Sequence, residues 1–463
     1  MNADDIVANQ TFEEIEIGDS ASVTRTLTRD DAALVDALSG GADPTHASPL
    51  GLPTARSLWG GALTSAVFGT KLPGPGTICV NQSLQFHRPI GIGETLTTTV
   101  TVRAKVPASK SIIFDCESVD ANRTSVISGK AEVIAPTEKF VGRLGSAPHI
   151  RLFRHEKYEM LIARCQGMTP LVAAVAHPCD DASLSAAIEA AQAGIIVPRL
   201  IGPAARIRAV AERLEIDLAA YEINDAPHSH AAAEKAVEAV RAGMADLVMK
   251  GSLHTDELLS AVVHKETGLR TKRRVSHCFI MDVPSYPNPL IITDAAINIY
   301  PSLEDKADII RNAIDLAATF GLVHPRIAIL SAVETINPKI QTTLDAAALC
   351  KMADRGQIRG GILDGPLALD NAISKTAADI KGIVSPIDGQ ADILVVPDLE
   401  AGNMVYKNLS FLADADGAGI VLGARVPIIL TSRADQLRTR LASCAVASLY
   451  AHAQRASLST AAE

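Results

Sequence analysis

The stretch ADILVVPDLEAGNMVYK, residues 391–407, gives the strongest indication of how this 463-residue chain folds. Its apolar run ILVV predicts a buried strand, and the turn PDLE leads from that strand into a helix that contains glycine and asparagine. A strand that continues through a polar turn into a helix is the repeating unit of a parallel sheet. We therefore predict an α/β domain around this stretch.

The same alternation of strand and helix extends outward over residues 157–463. Apolar runs such as PLVAAVAHP (170–178) and RIAILSA (326–332) predict strands. Between such runs, HAAAEKAVEAVRAG (230–243) and SLEDKADIIRNAIDLAATFG (302–321) predict amphipathic helices. The pattern is typical of a mainly parallel sheet that carries helices on both faces.

Residues 1–137 have a different character. SLWGGALTSAVFG (57–69) predicts an apolar helix rich in small residues. Long strands are predicted after it at LTTTVTVRAKV (96–106), SIIFDCESV (111–119) and SVISGKAEVIA (125–135). A central apolar helix followed by antiparallel strands indicates an α+β domain of the hot-dog type, in which a curved sheet wraps the helix. The charged, aperiodic segment 138–156 is the predicted linker between the two domains.

Composition and charge exclude several classes of protein. The chain has 43 basic and 52 acidic residues, a formal net charge of −9, so no domain-wide basic field is present to bind nucleic acid. No apolar run approaches the length of a membrane span, and the N-terminus lacks an apolar signal core. The seven cysteines are scattered and form no CxxC pair, which indicates buried thiols in a reducing compartment and no zinc site. We expect a soluble cytoplasmic protein with no metal.

Three strand-to-helix turns concentrate glycine and polar residues, at 363–374, 397–407 and 427–435. In a parallel sheet such turns converge beyond the carboxyl ends of the strands, where ligands bind. Gly402, Asn403 and Ser432 near helix N-termini suit an anion, because backbone N–H groups there are unpaired and the helix dipole favours negative charge. Asn403 and Ser432 suit helix N-caps equally well.

The basic cluster TGLRTKRR (267–274) follows a predicted helix and precedes another apolar segment. Its arginines have the forked donors that bind a phosphate group. The alternative is a solvated surface face. The pattern alone leaves both open.

Residues 157–455 resemble the phosphate acetyltransferase and phosphate butyryltransferase family. The matching segments are MKGSLHTDELLSAVVHKETGLR, TDAAINIYPSLEDKADIIRNA, INPKIQTTLDAAALCKMADRGQIRGGILDGPLALDNAIS, ADILVVPDLEAGNMVYKNL and VPIILTSRAD. The resemblance implies exchange of an acyl group between coenzyme A and phosphate as substrates, without a cofactor. It also implies a fold of the isocitrate/isopropylmalate-dehydrogenase-like type, with a cleft between two subdomains, and usually a dimer, so we expect a homo-oligomer.

The resemblance further implies site residues. A Ser-Arg pair serves the acyl phosphate in acetyl-transferring relatives, and it matches Ser432 and Arg433. Those relatives place a carboxylate, the proposed base for the thiol, seven residues after the serine. Thr439 stands there, so Asp435 is our substitute, although a first-turn carboxylate also stabilises a helix without any catalytic role.

The substrate-binding candidates complete this site. They are Gly402, Asn403 and Lys407 in the segment GNMVYK, together with Arg270, the basic residue closest to the position of a phosphate-binding arginine of the acetyl branch.

Residues 10–137 resemble the MaoC-like hot-dog dehydratases through LSGGADPTHAS (38–48) and LPGPGTICVNQSLQFHRPIGIGETL (72–96). That family handles water and a proton across an enoyl-coenzyme A double bond with an Asp and a His five residues later. His46 matches the histidine, but Gly41 replaces the aspartate and Asp43 stands nearby. The usual His-Gly at the start of the central helix is Arg56-Ser57. Either Asp43 acts beside His46, or the domain keeps its fold as a thioester-binding or dimerising module, which we favour.

Two rival functions remain at this point. A nicotinamide-dependent decarboxylating dehydrogenase shares the fold that the resemblance implies, but it needs metal-binding aspartates together with an arginine-rich motif, and the sequence lacks this combination. A non-catalytic sensor of acyl-coenzyme A is the other. Thiol release that requires phosphate separates the transferase from both.

Overall fold

A computed structural model describes residues 6–38, 54–55, 58–143, 156–430 and 436–460 of the chain. The chain divides into two compact units, Met1–Phe153 and Arg154–Glu463. In the part of the chain that the structure describes, no helix has both the length and the apolar character needed to cross a membrane.

The N-terminal unit is built from short helices and long antiparallel strands. Its elements are β1 (Ile6–Ala8), β2 (Ser20–Thr26), α1 (Arg29–Leu38), β3 (Thr54–Ala55), α2 (Leu58–Thr70), β4 (Ile78–Phe86), β5 (Ile90–Gly91), β6 (Thr95–Val106), β7 (Ser111–Val119), β8 (Ser125–Ile134) and β9 (Val141–Arg143). Five of these strands form an antiparallel sheet in the order β2-β6-β7-β8-β4. Strand β1 pairs with β9, so paired backbone extends beyond residue 137.

Helix α2 forms the centre of this unit. Its side chains Leu63, Val67 and Phe68 are at most 4% exposed, and buried side chains alternate along β6. Burial of each such side chain stabilises the fold by about 1.5–3 kcal/mol. An apolar helix buried against an antiparallel sheet is the hot-dog arrangement, which confirms the fold predicted for the N-terminal unit.

The C-terminal unit alternates strands and helices along most of its length. Its elements are α3 (Glu156–Cys165), β10 (Leu171–Ala176), α4 (Asp181–Gln192), β11 (Ile196–Gly202), α5 (Ala204–Arg213), β12 (Glu222–Asp225), α6 (Ser229–Arg241), β13 (Leu247–Lys250), α7 (Thr255–Val262), β14 (Ser276–Asp282), β15 (Leu290–Thr293), α8 (Leu303–Thr319), β16 (Arg326–Leu330), α9 (Gln341–Asp354), β17 (Ile362–Leu367), α10 (Leu369–Ile373), α11 (Lys375–Ile380), β18 (Ile393–Val395), α12 (Leu399–Leu412), β19 (Asp416–Leu422), β20 (Ile428–Ile429) and α13 (Leu437–Thr460).

One sheet runs through the whole unit, in the order β12-β11-β10-β13-β20-β19-β14-β15-β18-β16-β17. Strands β14 and β19 run antiparallel to their neighbours, and the other pairings are parallel. The two reversed strands therefore separate two parallel halves whose strands point in opposite directions. The prediction of a mainly parallel α/β sheet is confirmed, but the reversal at its centre was not predicted.

The two faces of this sheet differ. One face is covered by a single apolar core that includes α3, α4, α8, α9 and α13. The other face carries two separate cores, one beneath α6 and α7 and the other beneath α10 and α12. Between these two cores, β14 and β19 present His277, Phe279, Gly417 and Gly419, which we call the central strip.

Candidate active site

The predicted catalytic residues lie outside the described residues. Ser432, Arg433 and Asp435 belong to residues 431–435, which follow Leu430 at the end of β20 and precede α13. In the N-terminal unit the same holds for Gly41, Asp43, His46, Arg56 and Ser57. The elements on either side of residues 431–435 are described, β20 before them and α13 after them, and the residues around these two elements define the candidate site.

The three predicted turns do not meet at one edge of the sheet. Strand β20 is parallel to β13, whereas β17 and β18 run in the opposite direction because β19 and β14 reverse the sheet between them. The turns after β17 and β18 therefore lie at the edge opposite to the turn after β20. The predicted convergence of these turns at one edge was wrong, because it assumed a sheet without reversed strands.

Helix α12 begins three residues before Gly402, so the N–H group of Gly402 is bonded within the helix end and is not free for an anion. Asp398 caps the helix and accepts from Ala401, and the Gly402 N–H donates to the Asp398 carbonyl at 3.1 Å. Gly402 has a structural reason instead, since a Cβ there would lie 2.8 Å from the Cα atom of Ala295. Asn403 is half-buried one residue further on, and Lys407 is exposed without an ion pair to any described residue.

The central strip lies beside the end of β20. The His277 ring stands edge-on to Phe279 at 4.3 Å, and Phe279 stacks on Tyr406 of α12 at 3.7 Å. Gly419 receives the hydrogen bond of the Leu430 N–H at 3.4 Å. The segment that contains Asn403 and Lys407 is thus connected to the end of β20 across the face of the sheet. Sequence reasoning missed His277, because a histidine within an apolar strand gives no signal of its surroundings.

A cavity of about 520 Å³ lies under the predicted basic cluster. Arg270 lines it, together with Leu259 and Val263 at the end of α7, Ile297, and the start of α8. The backbone of Arg270 bridges to Ala424, just after β19. The cavity therefore opens beside the core beneath α7, on the same face as the central strip.

The basic residues that line this cavity are not equivalent. Arg274 lies 2.7 Å from Asn298 and 3.4 Å from Asp305, and Arg273 forms an ion pair with Asp315 at 3.5 Å. Arg270 and Lys272 are exposed, and neither side chain has a hydrogen bond or ion pair with a described residue. The charges of Arg270 and Lys272 are therefore available to an anionic ligand, but a solvated surface face has the same exposed charges, so the phosphate clamp stays a prediction.

Thr439, at the position of the relatives' carboxylate, is buried in the first turn of α13. Its hydroxyl donates to the carboxylate of Asp416, 3.5 Å away at the start of β19. Asp416 is half-buried and stands opposite the fully buried Asp282, which forms an ion pair with Lys157 at 3.1 Å. A carboxylate therefore lies next to position 439, although position 439 itself has none. No sequence pattern indicates this pairing, since the two residues are 23 positions apart.

The parallel strands β10 and β13 end near a second group of polar residues. His177 follows β10 and lies 2.9 Å from the Ser252 hydroxyl after β13. Burial lowers the pKa of His177, so its ring is uncharged near neutral pH. The sequence did not single out this pair, although its place after two adjacent strands is typical of ligand-binding residues.

Most of the cysteines are buried, which makes their thiols poor nucleophiles. Five are buried, and burial raises the pKa of Cys278 and Cys444 to about 12. Such thiols stay protonated near neutral pH. Cys79 is exposed, so the prediction of buried thiols was wrong for that residue.

The comparisons with known proteins agree with this architecture. A family model described as phosphate acetyl/butaryl transferase matches residues 229–448. A phosphate acetyltransferase of Rhizobium meliloti is 64% identical over 300 residues, which cover 65% of this chain and 95% of that protein. The chain therefore belongs to the phosphate acetyl/butyryltransferase family.

Solved structures match each unit. A branched-chain phosphotransacylase from Enterococcus faecalis is 30% identical with a TM-score of 0.54, and the match covers 61% of this chain and 99% of that one. The R-hydratase PhaJ1 from Pseudomonas aeruginosa is 31% identical with a TM-score of 0.31, and the match covers 32% of this chain and 99% of that one. The hot-dog assignment of the N-terminal unit rests on its helix and sheet as described above.

Proposed function

We propose that the C-terminal unit transfers a short acyl group from coenzyme A to inorganic phosphate, and in the reverse direction from acyl phosphate to coenzyme A. The observation that carries this proposal is the 64% identity to a phosphate acetyltransferase over 95% of that protein's length. The alternating unit, the strand β20 before residues 431–435 and the helix α13 after them are consistent with it, as is the unpaired charge of Arg270.

The chemistry explains why a Ser-Arg pair is suited to this turn. The charge of the phosphate group must be matched while the C–O bond to it forms or breaks, and the planar fork of an arginine binds two phosphate oxygens at once. Charge that develops on the acyl oxygen needs donors already in place. Arg433 would hold the phosphate, and the hydroxyl of Ser432 would donate to the reacting group.

Arg270 suits a different phosphate. Gly419, beside the end of β20, and Ala424, beside Arg270, are five residues apart, and the part of this segment that lies in β19, residues 419–422, spans about 10 Å at about 3.3 Å per residue. Arg270 therefore lies beyond the C-terminal end of β19, whereas Leu430 lies beside the middle of that strand. Coenzyme A carries phosphates at its nucleotide end, far from its thiol, so we propose that Arg270 and Lys272 bind those phosphates.

The base for the thiol has two candidates. A thiol with a pKa of about 8.5 must lose its proton before it attacks an acyl phosphate. Asp435 follows Ser432 by three residues, and Asp416 lies beside the hydroxyl of Thr439. Replacement of each aspartate by asparagine separates them: loss of the base makes the rate rise steeply with pH, because free thiolate then has to form in solution.

The finer fold assignment is also a proposal. Two cores on one face, with the central strip between them, are consistent with the cleft of an isocitrate/isopropylmalate-dehydrogenase-like unit. Asn403 and Lys407 would then contribute from one wall. The resemblance also supports a cytoplasmic homo-oligomer with domains at 1–137 and 157–463.

The N-terminal unit is proposed to hold acyl thioesters or to support assembly, and not to hydrate enoyl-coenzyme A efficiently. Hydration needs a base for water, a proton donor and an oxyanion donor. Gly41 offers no side chain, and a carboxylate shifted to Asp43 is displaced by several ångströms.

The test is arsenate- or phosphate-dependent cleavage of acetyl-, propionyl- and butyryl-coenzyme A by the full-length chain. We expect release of free thiol from at least one of them, and release only when the oxyanion is present. The ratio of kcat/KM values across the three substrates gives the preferred acyl chain. Binding of all three without any release would support the sensor instead.

A further inference from the structure

His277 is a buried histidine without a hydrogen-bond partner. It lies in β14 with 0% of its surface exposed, and neither Nδ1 nor Nε2 is bonded to any described residue. A buried polar group in this situation is rare and requires an explanation.

The charge state of this ring is fixed by its surroundings. Burial lowers the pKa of His277 to about 3, so the ring is neutral over the whole physiological range. A neutral imidazole has one N–H donor and one acceptor nitrogen. His277 therefore keeps an unused donor in the interior of the unit, and it does not act there as a titrating base.

An unused acceptor lies next to it. A Cβ atom placed on Gly419 would lie 3.0 Å from His277 Nε2 and would also contact the carbonyl oxygen of Leu430. No described residue donates to that carbonyl. The ring and the carbonyl therefore both border the space that the missing side chain of Gly419 leaves open.

The end of β20 is held weakly, whereas the ring is held firmly. The Leu430 N–H reaches the Gly419 carbonyl at 3.4 Å, beyond the usual range for a backbone hydrogen bond. The His277 ring is fixed by its contact with Phe279, which is itself stacked on Tyr406. A small shift of Leu430 is thus easier than a rotation of the ring.

We propose that His277 is a positioning residue, whose ring N–H bonds to the Leu430 carbonyl in the transition state of acyl transfer and so positions the residues that follow Leu430, Ser432 and Arg433. This inference rests on the proposed function, since it assigns a role to His277 through those two residues. A bond that is made in the transition state and is absent from the substrate complex raises kcat and leaves KM nearly unchanged.

The test compares three variants of the full-length chain. His277→Phe keeps a flat ring beside Phe279 and removes both nitrogens, and His277→Gln places an amide donor near Nε2. Val421→Ala is the matched control, since Val421 is the paired residue of His277 on β19 and is equally buried. The measurements are kcat and KM for acetyl-coenzyme A and phosphate, and the midpoint of thermal unfolding.

We expect His277→Phe to lower kcat about tenfold, the effect of one lost hydrogen bond of about 1.4 kcal/mol, with both KM values changed less than about twofold. Its unfolding midpoint should not fall, because an unsatisfied polar group has been removed. His277→Gln should recover most of kcat. Val421→Ala should show the reverse pattern, with a lower midpoint and an unchanged kcat.

Three results overturn the inference. The first is a His277→Phe protein with the parent's kcat, and the second is a His277→Gln protein as slow as His277→Phe. The third is a His277→Phe protein that fails to fold, which would assign the ring to the core alone. If the parent itself releases no coenzyme A with phosphate, the proposed function fails and the inference falls with it, and the parent's assay distinguishes that case.

Discussion

The two units both fold around apolar cores, yet they differ in the residues that are proposed for their sites. The N-terminal unit has an intact core around α2, while its sequence has Gly41 in place of a catalytic aspartate. The C-terminal unit has both its core and the Ser432-Arg433 pair. Burial of apolar side chains therefore maintains a fold independently of the few loop residues that give the fold an activity.

The largest expected effect would break this contrast by restoring the N-terminal site. Gly41→Asp combined with Asp43→Asn in the full-length chain should raise hydration of crotonyl-coenzyme A by about 10²–10⁴-fold, the usual contribution of a general acid or base. The measurement is loss of absorbance of the enoyl thioester. His46→Ala added to the pair should abolish the gain. Rapid hydration by the parent, lost on Asp43→Asn, would show that Asp43 is a relocated catalytic residue.

The next effect concerns the site that is proposed for the C-terminal unit. Arg433→Ala should depress phosphate-dependent turnover at least about tenfold, as expected when a charge-assisted contact of about 1.5–3 kcal/mol is lost. Arg433→Lys should recover little, because a point charge does not replace the bidentate fork. Arg425→Ala, an exposed arginine after β19, is the control and should match the parent. Parent-like turnover of a folded Arg433→Ala protein would refute this placement of the phosphate.

A variant of Arg270 separates the binding of coenzyme A from the binding of inorganic phosphate within the C-terminal unit. Arg270→Gln should raise KM for acetyl-coenzyme A about tenfold, through loss of a charge-assisted contact to a phosphate. With acetyl-pantetheine, which lacks the nucleotide, parent and variant should have the same KM. Arg208→Gln, an exposed arginine of α5, serves as control. A raised KM for inorganic phosphate would show instead that Arg270 holds the reacting group.

The smallest effect compares a helical glycine from each unit. Gly402→Ala should destabilise the C-terminal unit by about 1–3 kcal/mol, because the new Cβ would meet the backbone of Ala295. Gly69→Ala in α2 should stabilise the N-terminal unit by up to about 1 kcal/mol, since nothing lies within 4 Å of its Cβ position. Calorimetric unfolding measures both. An unchanged transition for Gly402→Ala would mean that α12 shifts freely on the sheet.

The periodicity of apolar residues was sufficient to predict both folds. The runs at 96–106 and 111–119 correspond closely to β6 and β7, because alternating burial leaves a clear pattern in the sequence. The direction of a strand leaves no such pattern. The sequence of β14 is apolar whether the strand is parallel or antiparallel to its neighbours. The prediction that the three turns lie together was wrong because β14 and β19 are antiparallel to their neighbours.

The candidate site was predictable only where the residue type itself carries the chemistry. Arg270 is a candidate because arginine suits a phosphate; it lines a cavity and its charge is unpaired among the described residues, and its role stays a prediction. His277 and Asp416 were not identifiable. Each became a candidate because of a residue that lies near it in space but far away in sequence, Leu430 for His277 and Thr439 for Asp416. Contacts between distant segments depend on the register of strands, which one sequence does not reveal.

The most direct test of the account is phosphorus NMR of the full-length chain with acetyl-coenzyme A and inorganic phosphate. We predict an acyl phosphate signal that grows in step with free thiol, and no thiol when phosphate is omitted. Thiol released equally without phosphate, or an enzyme that binds acetyl-coenzyme A and forms no acyl phosphate from any of the three acyl chains, would contradict the proposal that the C-terminal unit is a phosphate acyltransferase.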